Sequence, residues 1–297
     1  MHYVFVINGR SDKAGVELEV RRQLEGSGIS HELYVTRGVG DATRYVNLYC
    51  DLGRYEEICF VACGGTGTAN EVASAVVRHP GACMAFLALD GTCDYVKCWP
   101  DRDFSSLDAI LAGEPLGVDV MKVGDNYAIN SFSVGMDSMS AELADRYNAD
   151  GVPDAYRRGV TGAVLRHRFN RFTVTVDGSR VGWGMNLLAS VFNGSWYGGQ
   201  FHAAPDADPC DGLLDVVVMR SMLLTEVALM MDKYRSGAHM TSPFCLRRME
   251  CCRGRHVELS SRDLMYASLD GEIFASTRFS VDMLPGALTI ILPAPKK

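Results

Sequence analysis

Hydrophobic positions run in two different rhythms along this chain, and the change falls near residue 116. Before it, short apolar runs alternate with longer mixed stretches. Tyr3–Ile7 (YVFVI) is a continuous apolar run of strand length. Residues 12–26 then place Val16, Leu18, Val20 and Leu24 within a charged stretch closed by Gly26 and Gly28, a helical pattern with its stop signal. The alternation continues with a strand over Glu32–Thr36, a helix over Ala42–Leu52, a strand over Ile58–Ala62, a helix from about Ala69 to Arg78 and a strand over Met84–Leu89. Strands that alternate with helices predict a parallel, doubly wound α/β sheet, because parallel neighbours need a long crossover between them.

Beyond residue 116 the apolar runs are short, β-rich and separated by Gly, Asp and Asn: Arg171–Val176, Asn186–Phe192, Leu213–Met219, His256–Leu259 and Phe279–Leu284. Val176-Asp177-Gly178 carries a hairpin signal, since Asp-Gly suits a turn that needs positive φ. Two helical stretches, roughly 152–168 and 224–237, interrupt the region. A mainly antiparallel β-sandwich is expected here. The division is therefore an α/β domain over residues 1–118 and a β domain over 119–285, with a tail over about 286–297 that can return to the first. No internal repeat or low-complexity linker is visible.

Composition narrows the partners. With 47% hydrophobic and 22% charged residues the chain reads as globular, and 297 residues suffice for two cores. A net charge of -7 argues against a nucleic-acid binder, which carries a basic footprint. No apolar run reaches the roughly 20 residues that span a bilayer, and Met1–Gly9 lacks the features of a signal peptide, so a cytoplasmic protein is expected. The ten cysteines form no CxxC pair, and several sit inside apolar runs, which predicts reduced thiols acting as small hydrophobes rather than zinc ligands or disulfides. Oligomeric state leaves no readable trace.

Candidate chemistry sits in the loops. Cys63-Gly64-Gly65-Thr66-Gly67-Thr68 joins a buried strand to a helix, where glycines admit a close ligand and unpaired helix N–H groups favour phosphate. It is neither a Walker A loop nor GxGxxG. On its own it reads equally as a structural turn. A second loop, Asp90-Gly91-Thr92-Cys93-Asp94-Tyr95-Val96-Lys97, follows the next strand, and a third, Asn8-Gly9-Arg10-Ser11-Asp12-Lys13, follows the first. Parallel strands deliver such loops to one sheet edge, so three of them with Lys13 and Lys97 favour a nucleotide-phosphate pocket.

These loops also carry a specific resemblance. GGTGTANEV is similar to the GGDGTxNEV signature of diacylglycerol kinases, sphingosine kinases and bacterial lipid kinases, and NGRSDK to their NPxSGK at Asn8, Ser11 and Lys13. DGTCDYVK resembles their GTxNDFAR with one residue deleted, which sets Asp94 and Lys97 on the family's Asp and Arg. Val118-Asp119-Val120 is similar to the family's apolar-Asp-apolar strand, and Asn130 with Val134-Gly135-Met136-Asp137 to its N…xGxD segment. VFNGSWYGGQFHAAPDADPCDGLLDVVV (191–218) resembles NGxxxGGGxxxxPxAxxxDGxLDV, and YASLDGE (266–272) the LDGE motif. The order holds from Asn8 to Glu272, and the second block points to the lipid-kinase branch rather than to NAD kinases.

The resemblance implies a set of roles. Gly64, Gly65, Thr66, Gly67 and Thr68 would cradle the phosphates of ATP, with Asn8, Ser11, Lys13, Gly91, Thr92 and Lys97 around them. Asp270 would be the base on the acceptor hydroxyl, supported by Glu272, and Asp94 would stand on a catalytic position. Asp211, with the neighbouring Leu213, would hold a structural Mg²⁺, and Asp119 belongs to the metal-linked set. The residues alone leave other readings open: Asp270-Gly271-Glu272 as a plain hairpin turn, and Asp211-Gly212 as a turn entering a strand. Arg157, Arg158, Arg166, Arg168 and Arg171 read either as a solvated face or as a helix that docks on anionic headgroups. His202 is expected as a polar wall residue.

The pattern also departs from the family. Thr66 stands where the family has an aspartate of the Mg²⁺–nucleotide network, the Asn of NDFAR is missing, its Arg is Lys97, and Gly9 and Asp12 replace Pro and Gly. A lost carboxylate removes charge that a transition state uses, and lysine lacks the guanidinium fork. Three functions are compatible with these residues: an ATP- and Mg²⁺-dependent lipid kinase, peripheral at a membrane surface; a catalytically impaired relative that binds nucleotide or lipid; and a kinase of another hydroxylated small molecule.

Overall fold

The computed structural model describes residues 1–9, 13–149, 152, 158–159, 162–163 and 170–296. The chain forms two units, one of Met1–Val120 with Pro285–Lys297 and one of Met121–Leu284.

The first unit opens with β1 (His2–Ile7), α1 (Lys13–Leu24), β2 (His31–Val35), α2 (Asp41–Asp51), β3 (Ile58–Cys63), α3 (Thr66–Val76) and β4 (Ala82–Phe86), then α4 (Leu107–Leu111) and β5 (Glu114–Val123). The strands pair in parallel in the order β2-β1-β3-β4. β3 is buried at every position, which explains its unbroken apolar run: a parallel strand covered on both faces has no solvent side. Phe5, Ile7, Cys59, Val61 and Cys63 pack on Val16, Val20 and Leu24 of α1 and Leu107 and Ile110 of α4. The opposite face carries Phe60, whose ring meets Tyr49 of α2 edge-on at 5.8 Å. Helices thus cover both faces, and the doubly wound expectation holds.

The second unit continues with β6 (Asn126–Ala128), β7 (Ser131–Gly135), α5 (Met136–Ala149), β8 (Asn170–Arg171), β9 (Thr173–Val176), β10 (Ser179–Gly182), β11 (Met185–Phe192) and β12 (Leu214–Arg220). It ends with α6 (Leu224–Ser236), α7 (Pro243–Leu246), β13 (Met249–Gly254), β14 (His256–Leu269) and β15 (Glu272–Leu292), the last running on into the first unit. The order is β13-β12-β11-β7-β14-β15, and every neighbouring pair is antiparallel. One core joins Phe132, Val134, Val191, Val216 and Val218 to Val174, Val257, Leu259 and Val281 of the facing strands, a β-sandwich interior. A second core sets Leu188, Phe192, Val217 and Met219 against Met139 and Leu143 of α5 and Val227, Met230 and Tyr234 of α6. Residues alternate between the two cores along β12, so LLDVVV is apolar at both parities.

The element boundaries differ from the sequence expectation in ways the chemistry explains. α3 starts at Thr66 rather than near Ala69, because the Gly-Thr-Gly-Thr run has no apolar period yet takes helical backbone. Arg171–Val176 is broken between β8 and β9, and the strand expected over His256–Leu259 continues to Leu269 through a register shift between Ser260 and Met265. The Asp177-Gly178 hairpin forms, with φ of 49° and 78°. Near the end of β15, Ile290 pairs in parallel with Met84 of the first unit. Among the described residues no helix is long and apolar enough to cross a membrane. Most of the arginine-rich stretch, including Arg157, Arg166 and Arg168, lies outside the described residues.

Candidate functional site

In the first unit, the loop between β3 and α3 is shaped by close approach. A side chain on Gly64 would put its Cβ 2.9 Å from Asn8 Cβ and 3.0 Å from Thr68 Oγ1, and one on Gly65 would lie 2.5 Å from Thr92 Oγ1. Both distances are below ordinary van der Waals contact, so only glycine lets the ends of β1, β3 and β4 converge here. A Cβ on Gly67 would meet nothing within 4 Å. The neighbouring structure therefore leaves Gly67 unconstrained. No side chain caps the N-terminus of α3. Its first-turn N–H groups and the Thr68 hydroxyl form an edge suited to an anion.

Thr66 is a latch. Its hydroxyl accepts the Asp94 N–H at 2.9 Å and donates to the Thr92 carbonyl at 3.3 Å, tying the second loop to the first. Asp90 Oδ1 accepts both the N–H and the hydroxyl of Thr92, at 3.0 and 2.8 Å, which shapes the turn at Gly91. Asp94 is buried, and its Oδ1 accepts from Lys97 Nζ at 2.6 Å. Asn8 begins the third loop, held by its N–H on the Cys63 carbonyl at 3.0 Å. Ser11 and the Lys13 side chain lie outside the described residues. Asp119, on β5, is buried and accepts the Gly286 N–H at 2.7 Å.

In the second unit Asp270 and Gly271 form the two-residue turn between β14 and β15, with φ of 47° and 97° and Leu269 paired to Glu272. The hairpin reading of Asp270-Gly271 therefore holds. The Asp270 carboxylate is buried, and three successive backbone N–H groups point at it: Ile129 and Asn130 on Oδ2 at 2.9 and 3.1 Å, and Ser131 on Oδ1 at 2.7 Å. Burial pushes the carboxyl up to about 7 against the pull of those donors, and the charge of Glu272 adds to the rise.

Asn130, singled out by its motif, and Asn193 and Trp196, given no role from sequence, surround Asp270. The Asn130 amide donates to the Trp196 carbonyl at 2.9 Å, and the Asn193 amide to the Ile129 carbonyl at 2.7 Å. Asn193 and Gly194 also donate their N–H groups to the Asn130 carbonyl, at 2.9 and 3.1 Å. The segment that supports Asp270 is therefore pinned by the loop after β11. Trp196 stacks on His202 at 4.4 Å, so the expected wall residue is one half of an aromatic pair, and burial holds its imidazole below the usual range. The sequence signals for this support are Asn130 in the N…xGxD-like segment and the Asn-Gly pair in FNGSWYGG.

The metal positions can be tested against what surrounds them. Asp211 Oδ1 accepts the Leu213 N–H at 2.9 Å, and its Oδ2 lies 3.3 Å from Arg253 Nη1. Among the described residues no three His, Cys, Asp or Glu side chains assemble to hold a metal. Mg²⁺ demands a near-octahedral oxygen shell at about 2.1 Å. A guanidinium on the carboxylate does not fit it.

A sequence profile of the YegS C-terminal NAD kinase beta sandwich-like domain matches residues 130–292. A protein of Pectobacterium atrosepticum named "Probable lipid kinase YegS-like" is 28% identical over 299 residues, covering 98% of this chain and 95% of the relative. Two solved chains from Bacillus anthracis str. Sterne share the fold. One superposes with a TM-score of 0.74 at 18% identity, and each covers the other by at least 96%. The second, a diacylglycerol kinase, superposes with a TM-score of 0.69 at 15% identity over 98% of this chain and 96% of that one.

Proposed function

Because the chain belongs to the YegS-like family of lipid kinases, we propose that it transfers the γ-phosphoryl group of ATP to a hydroxyl of diacylglycerol or a related lipid. The observation that carries the reading is Asp270, a buried carboxylate with a pKa of about 7 held by three backbone donors. Such a group is matched to neutral pH: enough of it is ionised to take a proton, and it is basic enough to do so effectively. In the transfer, the lipid O–H gives its proton to Asp270, its oxygen bonds to the γ-phosphorus, and the bond to the β-phosphate oxygen breaks to release ADP. The backbone donors fix where the carboxylate points, and Asn130 and Asn193 hold those donors.

The phosphates belong, on this reading, to the edge formed by Gly64, Gly65, Gly67, Thr68 and Asn8, and the motif resemblance assigns Ser11 and Lys13 to the same ligand. Lys97 supplies positive charge near that edge, although its ion pair with Asp94 offsets part of it. Mg²⁺ enters as the ion that accompanies ATP.

A second reading has its own support. Thr66 brings no charge, Asp94 pairs with Lys97, and Asp90 is engaged by Thr92, so the two carboxylates of the second loop are committed within the protein. A chain built this way could bind nucleotide without transferring phosphate. Incubation with γ-labelled Mg–ATP and a mixed lipid extract, followed by organic extraction, separates the readings. Label in the organic phase supports a lipid kinase. Label only in water-soluble hydroxyl compounds would move the acceptor out of the lipids, and no transfer by folded protein would leave a binding module.

A further inference from the structure

The family resemblance gives the place around Asp211 to a magnesium ion, yet here a side chain occupies it. Arg253 stands on β13 directly opposite Asp215 of β12. Its Nε donates to Asp215 Oδ1 at 2.8 Å, its Nη1 reaches Asp211 Oδ2 at 3.3 Å, and its Nη2 donates to the Asp206 carbonyl. All three nitrogens of the guanidinium are therefore used, on Asp206 and Asp211 of the loop before β12 and on Asp215 of β12 itself.

Charge points the same way. Asp206, Asp208, Asp211 and Asp215 crowd ten residues that contain no lysine or arginine. A segment of that composition repels itself and needs a cation to close. Arg253 is permanently charged, and its planar fork places separate donors on separate acceptors, which a single hydrated ion does by coordination. The bond from the Cys210 N–H to Asp208 Oδ1 at 3.0 Å, and the one from the Leu213 N–H to Asp211 Oδ1, complete the loop's internal order.

We propose that Arg253 is the resident cation of this loop, and that the chain holds residues 206–215 in place without a structural metal ion. The consequence reaches the acceptor side of the protein, because the loop continues directly from the segment that carries Trp196 and His202. Its order is then independent of the magnesium that comes and goes with ATP. A pocket of about 130 Å³, lined by Ala204, Asp206, Asp215, Met240, Cys252 and Arg253 among others, adjoins the guanidinium. Shortening the arginine would therefore leave room for an ion and its water beside Asp211 and Asp215.

Thermal melting of the nucleotide-free protein tests this without reference to activity. The wild-type Tm is expected to be the same in EDTA as in millimolar MgCl₂ or CaCl₂. Arg253→Gln should melt several degrees lower in EDTA and recover part of the loss when a divalent cation is added. The proposal is overturned if wild-type Tm falls on chelation and Asp211→Asn abolishes that fall, because an ion would then be bound at Asp211. It is equally overturned if Arg253→Gln melts like wild type in EDTA. Should Arg253→Gln not fold, the wild-type and Asp211→Asn melts still decide, and Arg253→Lys serves as the milder variant.

Discussion

The amide of Asp94 rests on the hydroxyl of Thr66 at 2.9 Å, so a single threonine side chain joins the two loops. The same hydroxyl donates to the Thr92 carbonyl at 3.3 Å. Removing it leaves the buried end of the second loop without its acceptor.

Thr66→Val is therefore expected to destabilise the first unit by roughly 1–3 kcal/mol, the cost of a backbone donor left unsatisfied. Thr66→Ser, which keeps the hydroxyl, should stay close to wild type. Urea unfolding of the three proteins compares them. Equal stability of Thr66→Val and wild type would remove the latch.

The two glycines at the helix entry give opposite expectations. Gly65→Ala puts a Cβ 2.5 Å from Thr92 Oγ1 and should cost about 1–3 kcal/mol through overpacking. Gly67→Ala adds its methyl to open space inside α3, where alanine is favoured over glycine by roughly 0.5–1 kcal/mol. If ATP approaches that edge, Gly67→Ala should melt higher than wild type yet bind ATP more weakly. Calorimetric titration with ATP checks it, and unchanged affinity would move the nucleotide elsewhere.

Protonation of Asp270 sets a pH dependence in two observables. The folded carboxyl titrates at about 7, above the ordinary carboxylate value of 3.8. Folding therefore favours its protonated form, and the stability it contributes at low pH is lost as pH rises from the unfolded value through about 7. Transfer needs the opposite state, so kcat/KM should climb through the same range. A pH series of melting and turnover, repeated with Asp270→Asn, tests both, since the asparagine variant should lose the melting trend.

Much of the architecture was legible because apolar periodicity dictates it. β3, as ICFVAC, and β12, within LLDVVV, read as strands because both of their faces are covered. What escaped was polar or distant. The start of α3 carries threonines and glycines in place of an apolar stripe, and the extension of β14 runs through Ser260 and Ser261 at a register shift. In the candidate site, the strand–loop motifs marked Gly64, Gly65, Thr66 and Asp270. The three N–H groups on Asp270 come from residues about 140 positions away, and backbone donors leave no residue signature at all. Arg253 escaped for a similar reason: it meets Asp211 across 42 positions, and no local pattern encodes such a pairing. The stacking of His202 on Trp196 depends on a loop course that periodicity does not describe.

Asp270 as a base acting on a lipid hydroxyl is the claim on which the proposed function rests most heavily. The direct test is γ-phosphate transfer from Mg–ATP to diacylglycerol in mixed micelles, by wild type and by Asp270→Asn shown by melting to be folded at the assay temperature. Labelled phosphatidic acid is expected from wild type, and a rate lower by about 10²–10⁴-fold from the variant, the usual contribution of a general base. Equal rates from the two proteins would contradict the claim, as would the absence of labelled lipid from folded wild type.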